Sequence, residues 1–368
     1  MSPLASWVIV SYGDRPFLKS AVKSIINQTL NDYEIIIVTN DIQSYNKINS
    51  RLKKYSRNNI KVLINLHGTD NHFCLATALN YGIAKSDSKY IVRFDDDDIN
   101  HPLRLQHQIK YMESKPNCGV LGSNALTFGR LITTWKMPTE DKQIKKELFF
   151  GNPFIHPSTI IRREILQGIN GPYKPMSSAE DYELWTRLAD TTQFGNLNEN
   201  LLYYRVHSSN LHKANSRKTE KENNLKFLIR EMSNKIKINK GEEFIDLHYK
   251  IFHTRDGDIE DFRNWSIDFP PSEIRDLGIL KMENKFQLLR NSTSIKIINS
   301  KQTKIIFLTK FIHKIIKYIL GIVLGKSRVK SLEGVKSRIH IYLQIFFFWK
   351  FKRILMFALM SVKKYSEI

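Results

Sequence analysis

Short apolar runs rich in β-branched residues alternate with segments of helical spacing through the first third of the chain, and this alternation constrains the fold more than any other feature. Trp7-Val8-Ile9-Val10-Ser11-Tyr12 is the first run, ending at Gly13-Asp14-Arg15-Pro16, where Asp14 can cap a helix and Pro16 can start one. Apolar residues then recur at Phe17, Ala21, Val22, Ile25 and Ile26, the spacing of a buried helix face. Residues 33–38 and 61–66 read as second and third strands, and polar Thr39-Asn40-Asp41 follows the second. A helix is expected over about 74–84, a fourth strand over 89–94 and another helix from Pro102 to near Pro116. Strands and helices in turn imply the α/β class, with a mainly parallel sheet covered on both faces. Ligands of such sheets bind beyond the carboxyl ends of the strands.

The fourth strand runs straight into Asp95, Asp96, Asp97 and Asp98. A run of like charges is often a solvated turn. This one follows an apolar strand, so it lies at the sheet rim, where crowded anions are costly unless a cation answers them. Mg²⁺ or Mn²⁺ suits such oxygen ligands. Arg93 precedes the run, and alternation along the strand can point it to the same face as Asp95 and Asp97. A donor contact and a plain ion pair both stand open for it.

A second acidic group lies in Ala179-Glu180-Asp181-Tyr182-Glu183-Leu184-Trp185. Tyr182, Trp185, Leu188 and Ala189 have the spacing of a buried helix face, which places Glu180 and Asp181 in the first turn. Acids there can simply favour the macrodipole. Between the two groups, Asn152-Pro153-Phe154-Ile155-His156-Pro157-Ser158 reads as a rigid turn leading into a strand at 159–161. Tyr204-Arg205-Val206-His207 follows later.

The segments VIVSYGDRPFLKSAVKSIINQTLNDYEIIIV, LATALNYGIAKSDSKYIVRFDDDDINHPLRLQHQIKYMESKP, NPFIHPSTIIRREIL and AEDYELWTRLAD resemble, in order and spacing, the successive blocks of family 2 glycosyltransferases. The resemblance covers roughly residues 5–210. It implies a GT-A fold, with a nucleotide-sugar half over 1–123 and an acceptor half over 124–210, and transfer with inversion. It further implies that Asp95 and Asp97 form a D-x-D pair holding Mn²⁺ or Mg²⁺ on the donor diphosphate, with Asp96 in the middle place. Asp98 could cap the next turn. Asp181 would be the base that takes the acceptor proton, and Glu180 its neighbour, binding acceptor hydroxyls or tuning Asp181. His156 would line the site, or serve only as a structural histidine. Trp185 would be a core residue or a sugar platform, and Arg205 and His207 would reach the diphosphate.

Elementary chemistry agrees with these roles. A departing nucleoside diphosphate develops negative charge that a cation can meet, and direct displacement by a hydroxyl needs one base and no protein nucleophile. The chain departs from the family at two places. Ser11 and Tyr12 stand within the segment that commonly reads P-x-Y-N, and Thr39 and Asn40 stand where D-D-G-S is usual. Asn40 or Asp41 is therefore expected to contact the donor nucleotide, which is expected to be a UDP-sugar, with GDP- and dTDP-sugars as alternatives.

Charge separates the rest of the chain. The net charge is +21, and residues 296–368 hold 16 Lys and Arg against two Glu, which is +14 of it. An evenly basic, nucleic-acid-binding surface is thereby disfavoured, and no nucleic-acid partner is expected. Ile305, Leu308, Ile312, Ile315, Ile319 and Ile322 recur around Lys310, Lys314 and Lys317, the pattern of a basic amphipathic helix. A second apolar stretch over 339–360 is broken by Lys350, Lys352 and Arg353, so neither suits a bilayer span. The segment 304–368 is expected to lie on an anionic membrane surface, where a lipid-linked saccharide or other glycan acceptor would be met. Its alternative is a helix packed on the core. Residues 211–295 are mixed and charged, with a helix expected around 225–229.

Cys74 and Cys118 cannot make a disulfide framework and the first residues lack a signal-peptide pattern, so the expected place is the cytoplasm, at the inner face of the membrane. Two rival functions are a nucleotidyltransferase and an inactive transferase-like module that binds membrane or nucleic acid. The first would need a phosphate-cradling glycine-rich loop early in the chain, and none is visible.

Overall fold

The computed structural model describes residues 2–12, 15–55, 59–65, 74–169, 171–207, 218–238 and 241–254, with Trp265, Gly278 and Lys281. The chain divides into two compact units, Met1–Ile279 and Leu280–Ile368, and the fold below is that of the first. The predicted Asp14 cap, the basic helices after residue 304 and much of 211–295 lie outside the described residues.

Among the described residues nine strands form one sheet. They are β1 (Ala5–Val10), β2 (Tyr33–Thr39), β3 (Ile60–Ile64), β4 (Tyr90–Asp95), β5 (Ile99–Asn100), β6 (Cys118–Gly129), β7 (Thr134–Trp135), β8 (Ile160–Arg162) and β9 (Gln193–Val206). Helices α1 (Leu18–Ile26), α2 (Ile42–Leu52), α3 (Leu75–Ala84), α4 (Arg104–Ser114), α5 (Asp141–Glu147), α6 (Arg163–Gln167), α7 (Glu180–Leu188), α8 (Lys218–Lys235) and α9 (Glu242–His253) connect or follow them.

The spatial order is β3-β2-β1-β4-β8-β6-β9-β5, with β7 on β6. The first four strands run parallel, as the buried β-branched runs predict. From β4 onward the sheet is mixed: β8 is antiparallel to β4 and β6, β9 is parallel to β6, and β5 is antiparallel to β9. Parallel ladders still carry most of the pairing.

Every residue of β1 and β2 is buried, so both sheet faces are covered. Each fully buried Val or Ile there contributes ~1.5–3 kcal/mol over its exposed state. On one face Trp7, Ile9, Ile35, Ile37 and Phe94 join Leu18, Val22 and Ile25 of α1 and Leu105, Ile109 and Met112 of α4. On the other, α3 approaches so closely that a Cβ on Gly82 would lie 2.7 Å from Val8 Cγ1. Pro16 does not start α1; the helix begins at Leu18 with Phe17 at its N-cap, so Pro16 lies in the turn before it.

Helix α2 is polar enough to escape a periodicity reading. Its burial rests on Ser44, Ile48 and Leu52, and Asp41 caps it by accepting from Ser44 N–H at 2.7 Å and Ser44 Oγ at 2.6 Å.

Packing continues past residue 210. Asn224 of α8 donates to Ser178 O at 3.1 Å, just before α7. His248 of α9 bonds Phe149 O through Nε2 at 3.0 Å and accepts from Trp265 Nε1 at 3.2 Å. An indole N–H only donates, so His248 is the neutral Nε2–H tautomer. Burial, followed by the neighbouring His253, holds its pKa well below the ordinary value.

Candidate active site

Parallel strands deliver their carboxyl ends to one rim, where Ser11 and Asn40 follow β1 and β2 and Asp95 is the last residue of β4. Ser11 N–H donates to Val38 O at 3.0 Å, and its hydroxyl donates to Asp96 Oδ2 at 2.6 Å. Burial pushes Asp96 up to about 6, against the pull of the Ser11 hydrogen bond. Tyr12 follows, part-buried. Asp41 is engaged as the α2 cap, which holds its pKa below the ordinary value. Thr39 Oγ1 and Asn40 Oδ1, by contrast, are buried without a hydrogen-bond partner among the described residues.

The β5–β9 ladder lays Arg205 and His207 over the aspartate run. Asp98 does not cap a turn. It accepts Arg205 N–H at 2.8 Å through Oδ1, while its Oδ2 is buried and unpartnered. Burial, then the charges of Asp95 and Asp97, raise its pKa well above the carboxylate range. Asp97 bonds His207 Nε2 at 2.8 Å, and burial and Asp95 raise its pKa too. Arg205 Nε donates to Asp97 O at 2.7 Å, and its guanidinium lies 4.0 Å from the Phe17 ring centre and 4.4 Å from that of Phe128. Arg205 thus holds the aspartate loop in shape. Asp95, Asp97 and Asp98 can each offer an oxygen to a common point, with those atoms all within 4.8 Å of one another. Such an all-oxygen set fits a hard divalent cation.

The second acidic group is assembled by the antiparallel side of the sheet. Arg93 N–H donates to Thr159 O at 2.9 Å, so the 3₁₀ turn His156–Ser158 sits beside the end of β4. Fully buried Arg104 fixes that arrangement, donating to Pro157 O at 2.7 Å, Arg93 O at 3.1 Å and Asn100 Oδ1 at 2.6 Å. Burial lowers its pKa to about 9.

Helix α7 enters through Ala179, whose φ of 64° is left-handed. Asp181 Oδ1 accepts Tyr182 N–H at 2.8 Å, and Asp181 Oδ2 accepts Asn152 Nδ2 at 2.5 Å. His156 Nδ1 lies 4.0 Å from Glu180 and 3.9 Å from Asp181. Burial, and then the Asp181 charge, raise Glu180 to about 7; burial raises Asp181 as well. His156 Nε2 meets Tyr173 Oη at 2.9 Å, and burial beside Arg93 keeps the imidazole neutral. Asn80 of α3 grips both backbone groups of Tyr173, at 2.7 and 2.9 Å. His156, Glu180 and Asp181 could also converge on a metal. Protein donors already occupy both Asp181 oxygens, so this group reads as a carboxylate pocket.

Arg93 ties the two groups together. It is buried, pairs with Asp95, and feels the charges of Tyr173 and Glu180 as well. Trp185 takes the core alternative: it is 0% exposed and packs 5.2 Å from Phe154 and edge-on behind His156, so it offers no face to a sugar. Asn152, Tyr173 and Arg104 belong to the site although no role was expected of them, Asn152 only opening the turn at 152–158 and Arg104 lying within a segment that resembles the family. Asn100, Arg104 and Gln108, spaced four apart, were the signal for Arg104.

The profile described as Glycosyl transferase family 2 matches residues 6–169. The O-antigen biosynthesis glycosyltransferase WbnJ of Escherichia coli is 32% identical over 206 residues, which are 54% of this chain and 78% of that one. The chain belongs to glycosyltransferase family 2. An uncharacterised glycosyltransferase of Methanocaldococcus jannaschii is 30% identical over 210 residues, 55% of this chain and 71% of that protein. The crystal structure of S. aureus TarS 1–349 in complex with UDP-GlcNAc superposes with a TM-score of 0.53 at 14% identity, over 80% of this chain and 91% of that one. The GT-A-type α/β fold is therefore shared with TarS. Among the described residues no helix is long and apolar enough to cross a membrane.

Proposed function

We propose that this family 2 glycosyltransferase is a metal-dependent, inverting enzyme that moves a sugar from a nucleotide diphosphate donor, a UDP-sugar in the first instance, to a glycan or lipid-linked saccharide of a cell-surface polysaccharide. One observation carries the reading: a set of three convergent carboxylates and a separate, fully hydrogen-bonded carboxylate flank one buried arginine at the same strand rim.

Asp95, Asp97 and Asp98 would hold Mn²⁺ or Mg²⁺, which supplies positive charge to the departing diphosphate. Asp98 Oδ2 supports this assignment, because a buried, unpartnered carboxylate oxygen lacks the donor or cation that offsets its burial. Part-buried Asn40 offers an unpartnered oxygen for the donor nucleotide. Ser11 keeps Asp96 turned away from the cation set. Asp181 takes the proton of the acceptor hydroxyl as that oxygen bonds the anomeric carbon and the carbon–oxygen bond to the diphosphate breaks. Configuration then inverts. Glu180, His156 and Tyr173 shape the acceptor side.

The relative named for O-antigen biosynthesis supports a cell-surface polysaccharide as product. The basic segment 304–368 supports a peripheral position on the inner, anionic face of the membrane.

Thermal melting with a panel of nucleotide sugars, with and without Mn²⁺ or Mg²⁺, tests the donor reading, since a bound ligand stabilises the folded state by mass action. A UDP-sugar should raise Tm only with the cation present. A rise independent of cation, or none with any nucleotide sugar, would overturn it.

A further inference from the structure

The Asn152 amide is wedged between two fixed groups. Its Oδ1 accepts Phe154 N–H at 3.1 Å and its Nδ2 donates to Asp181 Oδ2 at 2.5 Å. A backbone N–H can only donate, so the amide oxygen must face Phe154 and the NH₂ must face the carboxylate.

The segment that carries Asn152 is held from several directions. Tyr182 Oη donates to Leu148 O, and His248 bonds Phe149 O. The Phe150 ring packs 4.9 Å from Phe252 and 6.2 Å from Trp265. Asn152 therefore stands on a clamped strap whose one end is tied to α7 and whose other side is covered by α9. An amide so placed has no freedom to follow Asp181; Asp181 must meet it.

The two neighbouring carboxylates are served unequally. Asp181 receives a donor on each oxygen, whereas Glu180 is supported by its own backbone N–H. The charged and titratable groups facing Asp181 are Glu180, His156, Tyr173 and Arg93. Arg93 favours the ionised form of both carboxylates, with Glu180 the one of the two that acts back on it, and His156 is equidistant from them within 0.1 Å, so neither singles out Asp181. Asn152 does. Hydrogen bonds to a carboxylate favour its ionised form, and two adjacent carboxylates do not both ionise freely, so a shared proton settles on the less supported one.

We infer that Asn152 is the positioning residue that makes Asp181, and not Glu180, the carboxylate that takes the acceptor proton. The inference rests on the reading of Asp181 as base. The proton passes from the acceptor hydroxyl to Asp181, and Asn152 keeps both of its own.

The test is the pH profile of kcat at saturating donor and Mn²⁺ for wild type, Asn152→Ala, Asn152→Asp and Asp181→Asn. Loss of the amide donor should move the acidic limb of the Asn152→Ala profile up by about 1–2 pH units, so that most of the lost rate returns in alkali. The donor KM should stay within about twofold. Asn152→Asp keeps the side-chain shape but sets a third carboxylate against Asp181, and its limb should move at least as far, which decides the matter if the alanine variant does not fold. A kcat reduced by one factor at every pH, or an unmoved limb in the variants that fold, overturns the inference. Asp181→Asn separates the two levels: if it still transfers sugar, the base reading and this inference fall together. If it is inactive while the Asn152 profiles stay in place, only this inference falls.

Discussion

Asp98 and Asp181 both lie within the influence of Arg93, yet their oxygens are provided for in opposite ways. Asp98 has one oxygen on Arg205 N–H and one on nothing, with two further aspartates beside it. Asp181 has a protein donor on each oxygen. In the proposed function a cation completes the aspartate rim, while the α7 pocket is completed by the polypeptide itself. A rim completed by a cation would bind and release it, whereas a carboxylate held by two donors keeps one geometry.

The sharpest way to break this contrast is to remove the charge from each side in turn. Asp181→Asn should lower kcat by about 10²–10⁴-fold while leaving donor affinity in place, because it deletes a proton acceptor and keeps the shape. Asp95→Ala or Asp97→Ala should do the reverse first, weakening cation-dependent donor binding at least about tenfold, or 1.4 kcal/mol. Calorimetric titration of donor with and without Mn²⁺ reads both. Equal losses of donor affinity in the two classes of variant would erase the distinction.

A smaller effect sharpens the same contrast through pH. Burial raises Asp96 from 3.8 to about 6 and Glu180 from 4.5 to about 7 in the folded protein, and raises Asp97 and Asp98 as well. The folded state then keeps protons that the unfolded chain has released. The stability these groups contribute is full below about pH 4 and is lost as pH climbs through about 7. A divalent cation held by Asp95, Asp97 and Asp98 would replace the protons that Asp97 and Asp98 keep, so its stabilising effect should grow as pH rises, whereas Asp96 and Glu180 stand outside the cation set and act alike with or without it. Buried His156 and His248 act oppositely, losing stability as pH falls below 6.5, but they do so with or without cation. The difference in Tm with and without Mn²⁺, followed across pH, isolates the rim. A constant difference would mean that the rim aspartates do not bind the ion.

How far the sequence disclosed this arrangement depends on the range of the interaction concerned. Strands β1, β2 and β4 were legible because full burial on both faces demands runs such as Ile35-Ile36-Ile37-Val38. The aspartate rim was legible because it follows such a run directly. Helix α2 was not, since only two of the three side chains on its buried face, Ile48 and Leu52, are apolar and Ile42 is exposed; its Asp41–Ser44 cap was the better signal, and it shows that a polar residue at a strand end can be spent on starting a helix. The β6–β9 ladder joins segments some 75 residues apart in a chain with no local mark of the pairing, so the contacts of Arg205 and His207 with Asp97 emerge only from topology. The contact of Asn152 with Asp181 was equally hidden, although the residue opens the 152–158 turn. An amide becomes a part of the site only when a helix 29 residues later presents its carboxylate.

In the proposed reaction Arg93 is one guanidinium shared by the donor and acceptor ends. In descent, that makes donor side and acceptor side a single inherited unit. A lineage could exchange the loops that read the nucleotide or the surface that greets the acceptor, each on its own. It could not trade Arg93 to suit one of them without rewriting the charge felt by the other, so new specificities in this scaffold should accumulate around that arginine while it stays fixed.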